Sequence, residues 1–183
     1  MREAKKTEVR IAGFGGQGVV LAGVILGRAA VLYDKKKAVQ TQSYGAEARG
    51  GGARSEVIIA DDSIDYPKVR HPDVLVAMSE QALDKYLKDL KPGGVLLIDS
   101  ELVKNLPPER EFTIYRFPFS RIANDEFGRT IVANVIMLGT LTDLTKLVSF
   151  EAMKSSIRTS VPKGTEELNL KAFERGRHLA EAA

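Results

Sequence analysis

The sequence predicts an α/β fold, a three-layer sandwich with a mainly parallel central sheet, formed as a single domain by residues 1–183. Short β-prone runs alternate with helical patterns along the chain, which is typical of strands joined by helical crossovers. Two runs, Asp73–Met78 and Val95–Ile98, are almost wholly apolar, as expected for strands that helices cover on both faces. The composition, 44% hydrophobic and 28% charged, excludes a disordered or a collagen-like chain.

Each strand is predicted from a short apolar or β-branched run bounded by glycine, proline or charged residues. The runs are Glu8–Ala12, Ala38–Gln42, Ser55–Ala60, Asp73–Met78, Val95–Ile98 and Phe112–Phe117. Each helix is predicted from apolar residues three and four positions apart. These segments are Gln17–Tyr33, Ser79–Leu90 with Ser79 as its cap, Thr130–Leu144, Phe150–Ser160 and Thr165–Ala180. We find no internal repeat and no linker that would divide the chain.

An uncharged stretch near the start of the chain resembles a targeting signal. Ile11–Gly27 has seventeen residues without a charge and follows a mildly basic segment, so a signal peptide or a short membrane anchor has to be considered. Six of the seventeen residues are glycine, whereas the core of a signal peptide prefers leucine and alanine. We therefore expect a cytoplasmic protein that does not contact a membrane.

Several kinds of site are excluded by composition. The chain has no cysteine, so it can form no disulfide, no thiolate-bound iron–sulfur cluster and no cysteine-type zinc site. It has two histidines and a net charge of only +3, and no basic stripe with interleaved aromatic residues indicates a nucleic-acid partner. No catalytic residue and no metal ligand is predicted in this chain.

The first candidate binding site is the turn between the first strand and the first helix. Gly13, Gly15, Gly16, Gln17 and Gly18 fall in a segment of the form G-x-G-x-x-G. Glycine allows a ligand to approach the backbone, and the amides at a helix N-terminus attract anions. A dinucleotide site also needs an acid after the second strand, but that strand ends in neutral residues and Asp34 precedes it. Contact with an anion or cofactor and simple close packing of the turn both remain open.

The second candidate is the glycine-rich segment Ser43–Arg54, which contains Arg49, Gly50 and Gly51. Arginine offers a planar pair of donors to a carboxylate or a phosphate. Ordering consecutive glycines costs conformational entropy, so a loop that becomes ordered on a partner is one interpretation. A flexible crossover with solvent-exposed arginines is the other.

The third candidate is Phe117–Gly128, which places three phenylalanines among polar residues before a buried helix. Segments of this kind lie where α/β domains bind ligands. The simpler interpretation, which we favour, is a helix start capped by Asn124 or Asp125.

Several segments together resemble a known family. Four segments look like the gamma subunit of 2-oxoacid:ferredoxin oxidoreductases, most of all the 2-oxoglutarate type. They are GFGGQGVVLAG (Gly13–Gly23), QTQSYGAEARGG (Gln40–Gly51), SEVIIAD (Ser55–Asp61) and PDVLVAMS (Pro72–Ser79). LKPGGVLLIDS (Leu90–Ser100) and ANDEFGRTIVANVIMLG (Ala123–Gly139) fit as well, so the resemblance covers about Val9 to Phe173. Ala46 departs from it, because many relatives are expected to have proline there.

The resemblance implies a non-autonomous subunit of an enzyme that converts a 2-oxoacid and coenzyme A to an acyl-CoA and CO₂, with electrons passing to ferredoxin. The partners implied are alpha, beta and ferredoxin-like delta subunits, and ferredoxin itself. The complex would use thiamine diphosphate, Mg²⁺, iron–sulfur clusters and coenzyme A, none of them bound by this chain alone. The glycine turn and Arg49 are the implied contacts for a polyanionic ligand, and the isolated chain is expected to self-associate.

Two other functions remain open on the sequence alone. The G-x-G-x-x-G segment is also typical of a stand-alone nucleotide-binding oxidoreductase, which would bind NAD or FAD by itself. A scaffold subunit that touches no ligand is the second alternative, and substitutions in its glycine segments would alter assembly only.

Overall fold

The computed structural model describes residues 6–45, 51–108 and 111–182. They contain six strands: β1 (Lys6–Phe14), β2 (Lys37–Tyr44), β3 (Gly52–Ala60), β4 (Val74–Ala77), β5 (Val95–Asp99) and β6 (Thr113–Phe117). The helices are α1 (Val19–Arg28), α2 (Glu80–Tyr86), α3 (Phe119–Phe127), α4 (Ala133–Thr145), α5 (Phe150–Ser160) and α6 (Glu166–Glu181). The predicted alternation of strand and helix is confirmed.

The strands form one sheet in the order β2-β3-β1-β4-β5-β6. The pairings β1–β4, β4–β5 and β5–β6 are parallel, whereas β3 pairs antiparallel with both β1 and β2. The sheet is therefore mainly parallel, as predicted, with a hairpin inserted at one side. The first three strands are longer than predicted because the β1–β3 ladder runs unbroken from Lys6 opposite Ala60 to Phe14 opposite Gly52.

Helices cover both faces of the sheet, which gives three layers. In the part of the chain that the structure describes, α1 and α3–α6 pack on the face that carries Val9, Val76 and Leu97, and they enclose the larger core. On the opposite face, α2 packs against Leu75 and Ile98 in a smaller core. Successive residues of β4 and β5 contribute to opposite cores, which explains their uninterrupted apolar sequences.

The first helix ends differently from the prediction. After α1 the chain forms a π-helical turn over Ala29–Tyr33, and Val31, Leu32 and Tyr33 become 44%, 57% and 38% exposed. The wider turn changes the angular spacing of side chains, so the apolar stripe of α1 does not continue into the core beyond Ala30.

The third candidate segment, Phe117–Gly128, contains a separate helix, α3, where only a helix start capped by Asn124 or Asp125 was predicted. The helix begins at Phe119, so Asn124 and Asp125 lie within it and cannot cap its start. Asp99, at the end of β5, accepts hydrogen bonds from the backbone nitrogen of Ser120 at 2.9 Å and from its hydroxyl. A carboxylate from a neighbouring strand thus satisfies the first turn of α3, a long-range contact that local sequence does not indicate.

Within residues 6–45, 51–108 and 111–182, no helix combines the length and the apolar character that crossing a membrane would require.

Candidate ligand-binding site at the glycine turn

The turn between β1 and α1 depends on left-handed backbone at two glycines. Gly16 has φ +101° and Gly18, the residue before α1, has φ +71°. Side chains other than glycine rarely adopt such angles. The chain therefore reverses tightly at the carboxyl edge of the sheet, where ligands of α/β proteins commonly bind.

Gln17 holds this turn in place with its side-chain amide. Its oxygen accepts a hydrogen bond from the backbone nitrogen of Phe14 at 2.9 Å, and its nitrogen donates to the carbonyl of Met78 at 2.7 Å. These two bonds tie the turn to the end of β1 and to the residue after β4. Gln17 thus orients the turn, and its side chain is committed to that contact.

The four glycines of the turn divide into two pairs. A β-carbon at Gly13 would lie 2.2 Å from the Gln17 side-chain oxygen, and one at Gly18 would lie 2.3 Å from the amide nitrogen of Asn134. These two positions are therefore required for close packing. Gly15 and Gly16 are exposed, and a β-carbon at Gly16 would meet nothing within 4 Å. The backbone at Gly16 is therefore open to a ligand.

The start of α1 adds favourable electrostatics. The helix has no side-chain cap at Gly18 and no acidic residue in its first turn. Its first backbone amides therefore lack side-chain acceptors in the part of the chain that the structure describes. Unpaired amides and the positive end of the helix dipole both favour an anion at this point.

The second glycine segment lies against the first. Gly15 donates its backbone hydrogen bond to the carbonyl of Gly51 at 2.8 Å, and Gly45 donates to Gly52 at 2.6 Å. The described ends of the β2–β3 connection thus lie beside the exposed glycines of the turn. Of the predicted contacts, Gly51 is placed at the site, whereas Arg49 and Gly50 lie outside the described residues.

Three large apolar side chains are exposed around these glycines. Phe14 ends β1 and Tyr44 ends β2, the two strands that flank β3, and these side chains are 37% and 64% exposed. Ile131, 48% exposed, reaches within 3.3 Å of where a β-carbon on Gly18 would stand. Open backbone edged by exposed apolar groups suits a ligand or partner that has both anionic and apolar parts.

Asn134 is a residue of this site that the sequence interpretation did not identify. It lies in α4, is 2% exposed, and donates from its amide nitrogen to the carbonyl of Gly18 at 3.1 Å. The sequence signal available was a single amide side chain within a largely apolar helix. A buried amide is rarely left unpaired, so its presence indicated a specific acceptor.

The other arginine of the second segment, Arg54, has a different position. It lies in β3, and its guanidinium is 5.5 Å from the centre of the Tyr86 ring. Beside it, the buried Arg10 pairs with Glu56 at 2.7 Å and with Asp89 at 2.6 Å. This cluster joins β1 and β3 to the end of α2 and is a structural contact on the face that α2 covers.

The geometry does not support a dinucleotide site of the usual kind. In such a site a parallel second strand neighbours the first and ends in an acid, whereas here the antiparallel β3 occupies that place. Asp34 accepts hydrogen bonds from the backbone nitrogen and the hydroxyl of Ser149 at 2.5 and 2.6 Å, at the start of α5. Its carboxylate is thus used within the fold.

Comparison with known proteins agrees with the resemblance. The family model described as pyruvate ferredoxin/flavodoxin oxidoreductase matches residues 8–179. The chain is 58% identical over 180 residues to the 2-oxoglutarate synthase subunit KorC of Methanocaldococcus jannaschii, covering 98% of this chain and 96% of that protein.

Two solved structures share the fold. The gamma subunit of a keto/oxoacid ferredoxin oxidoreductase from Geobacter sulfurreducens matches with a TM-score of 0.86 and 48% identity, covering 97% of this chain and 99% of the other. A 2-oxoglutarate:ferredoxin oxidoreductase from Magnetococcus marinus, solved with 2-oxoglutarate, coenzyme A and succinyl-CoA, matches with a TM-score of 0.84 and 25% identity, covering 99% of this chain and 32% of the other. The chain belongs to the pyruvate ferredoxin/flavodoxin oxidoreductase family.

Proposed function

We propose that this chain is the gamma subunit of a 2-oxoglutarate:ferredoxin oxidoreductase, folded as a single domain, and that its glycine turn contacts coenzyme A. The enzyme would convert 2-oxoglutarate and coenzyme A to succinyl-CoA and CO₂ while the released electrons pass to ferredoxin. The observation that carries the proposal for the turn is the exposed, open backbone at Gly16 beside the uncapped start of α1. The identity to KorC supports the choice of 2-oxoacid.

The residues of the turn suit the anionic end of coenzyme A. Exposed glycine backbone allows phosphate oxygens to approach, and the amides at the start of α1 can donate to them. Arg49, which precedes Gly51 by two positions in the sequence, would supply a bidentate donor. Phe14 and Ile131 are exposed nearby and would pack against the apolar parts of the ligand.

The remaining cofactors do not suit this chain. The chain has no cysteine to hold an iron–sulfur cluster. Within the described ranges no three histidine, aspartate or glutamate side chains are grouped so that they could bind a metal. We therefore assign both groups to partner subunits of the alpha, beta and ferredoxin-like delta kinds. This chain contributes binding, orientation and closure of the complex.

The proposal is tested by assembling the enzyme with Gly16→Ala. Alanine at φ +101° is strained and places a methyl group where a ligand would approach. We expect the KM for coenzyme A to rise about tenfold, the effect of losing one charge-assisted hydrogen bond, with the KM for 2-oxoglutarate unchanged. Both are measured by ferredoxin reduction.

Gly164→Ala is the matched control. Gly164 also has a positive φ, +85°, and open space at its β-carbon, but it lies between α5 and α6. If both variants lose activity alike, backbone strain explains the effect. An assembled enzyme without coenzyme A-dependent oxidation of 2-oxoglutarate would refute the activity itself.

A further inference from the structure

A groove on the side of the molecule away from the glycine turn has an unusual combination of properties. It lies between α1, the π-helical turn and β2, has a volume of about 390 Å³, and is lined by apolar groups that include Val24, Val31, Leu32 and Ala38. Val31 and Leu32 are among the most exposed apolar side chains in the part of the chain that the structure describes. Adjoining apolar groups exposed in this way mark an interaction site.

The same groove borders a free strand edge. β2 is an outer strand of the sheet, is eight residues long, and contains no proline and a single charge, Lys37. Natural proteins usually shorten, charge or cover such an edge, because its unpaired amides and carbonyls pair readily with another strand. Ala38 and Gln40 of β2 also line the groove, so a strand added to β2 would lie along the groove itself.

Positive charges predominate in the segment that lines the groove, although the exposed Asp61 and Asp62 follow Ala60, the strand partner of Lys37. Arg28, Lys35 and Lys37 are exposed, and Asp34 is the only acid between Val24 and Tyr44. Both oxygens of Asp34 accept hydrogen bonds from Ser149, so this carboxylate does not balance the cations. The groove therefore presents an apolar floor, a pairing edge and a basic rim.

We propose that this groove and the free edge of β2 bind an extended, acidic segment of another subunit of the same enzyme, which adds to the sheet as a further strand. The segment would place apolar side chains over Val31 and Leu32 and carboxylates near Lys35 and Lys37. Strand addition of this kind combines backbone pairing with side-chain specificity. The inference rests on the proposed function, which supplies the other subunits.

A second copy of this chain is a poorer occupant. In a symmetric dimer both copies present the same patch, so Arg28, Lys35 and Lys37 of one copy would face the same cations of the other. Complementary charge, by contrast, speeds and orients the docking of an acidic partner.

Hydrogen exchange in the assembled enzyme tests the pairing directly. We expect the backbone amides of Ala38–Ser43 to exchange at least about tenfold more slowly in the complex than in the isolated chain. The opposite edge strand, β6 (Thr113–Phe117), is the internal reference. Unchanged exchange in β2, or slowing in β6 alone, would overturn the proposal.

Variants test the groove independently. Leu32→Glu is expected to weaken binding to the partner subunits about 10- to 100-fold, as for a central apolar contact. Tyr66→Glu, at a side chain 45% exposed outside the groove, is the control and should leave binding unchanged. Lys37→Glu should weaken binding less, and its effect should shrink at high salt because the charges are screened.

The outcomes separate the two proposals. If the wild-type chain forms no complex with the alpha, beta and delta subunits, the proposed function fails. If the complex forms and Leu32→Glu assembles like the control, the inference about the groove fails. A stable dimer of the isolated chain through β2 that persists in the assembled enzyme would also overturn it.

Discussion

Asp99 has an ionisable side chain that is completely buried. Its carboxylate is held by Ser120 and by the backbone nitrogen of Glu101. Burial raises the pKa of Asp99 above its ordinary 3.8, although these hydrogen bonds act in the opposite direction. The folded state therefore holds this proton more tightly than the unfolded state. Its contribution to stability falls as the pH rises above 3.8 through the raised pKa.

Asp99→Asn is expected to change the pH dependence of unfolding, because the variant has no proton to lose. The free energy of unfolding of the wild type relative to the variant should be highest at acidic pH and should fall toward neutral pH. Urea unfolding across that range measures it. Glu80→Gln is the control, because hydrogen bonding from the backbone of Lys104 lowers the pKa of Glu80. The free energy of unfolding of the wild type relative to this variant should therefore rise with pH. A wild-type-to-variant difference that does not change with pH would contradict the assignment for Asp99.

Arg49 is the residue from which we expect the largest functional effect in the second glycine segment. Lysine cannot reproduce the paired donors of a guanidinium, so Arg49→Lys should be harmful as well as Arg49→Ala. Loss of one charged hydrogen-bonding partner costs about 1.5–3 kcal/mol, or roughly 10- to 100-fold in affinity. The measurement is the coenzyme A dependence of the assembled enzyme. Normal assembly with unchanged turnover and coenzyme A affinity would show that the segment is only a crossover.

At the scale of elements, the closest helix packing is between α4 and α6. A β-carbon on Gly176 would lie 1.8 Å from the carbonyl oxygen of Ile136, and one on Gly139 would lie 2.0 Å from that of Phe173. Two glycines on facing helices thus allow the backbones to touch. The apolar spacing within Thr165–Ala180 predicted the helix, but it did not indicate this close approach.

Gly176→Ala should therefore destabilise the protein by at least about 2 kcal/mol, since backbone must move to admit the methyl group. Urea unfolding measures the change. Gly52→Ala is the control, because a β-carbon there meets nothing within 4 Å. Equal stability of the two variants would show that α4 and α6 separate without cost.

At the scale of the whole molecule, we expect the purified chain to be colourless and to lack stoichiometric iron and thiamine diphosphate. The reason is its chemistry, since it has no cysteine and its described residues form no group of metal ligands. Metal analysis and assay of bound thiamine diphosphate provide the measurement. A stoichiometric content of either would contradict the assignment of these groups to partner subunits.

The isolated chain should also self-associate weakly as its concentration rises, because the groove at Val31 and Leu32 lacks its partner. Sedimentation over a range of concentration and salt measures this. Salt should strengthen self-association by screening the basic rims from each other, whereas it should weaken the complex with an acidic partner. A chain that stays monomeric at all concentrations would contradict the expectation.

The sequence by itself determined the fold class, the family and most of the elements, with the end of the first helix and α3 as exceptions. Alternation of apolar runs with helical patterns is local information, and each strand or helix buries the face that its own pattern predicts. The glycine turn was equally predictable, because Gly16 and Gly18 have a positive φ, which residues other than glycine rarely adopt. Two specific glycine segments that occur together predicted the family, and comparison with known proteins confirmed it.

Only the tertiary structure decided how distant residues meet. It placed Gly51 against Gly15, Asn134 against Gly18, and Asp99 at the start of α3. It also set β3 antiparallel beside β1 and exposed Val31 and Leu32 through a π-helical turn. Each of these features depends on contacts between segments that are far apart in the chain. A local sequence pattern does not contain the energies of such contacts. That is why the sequence predicted the parts of the site, and only the packed sheet showed which of its glycines remain open.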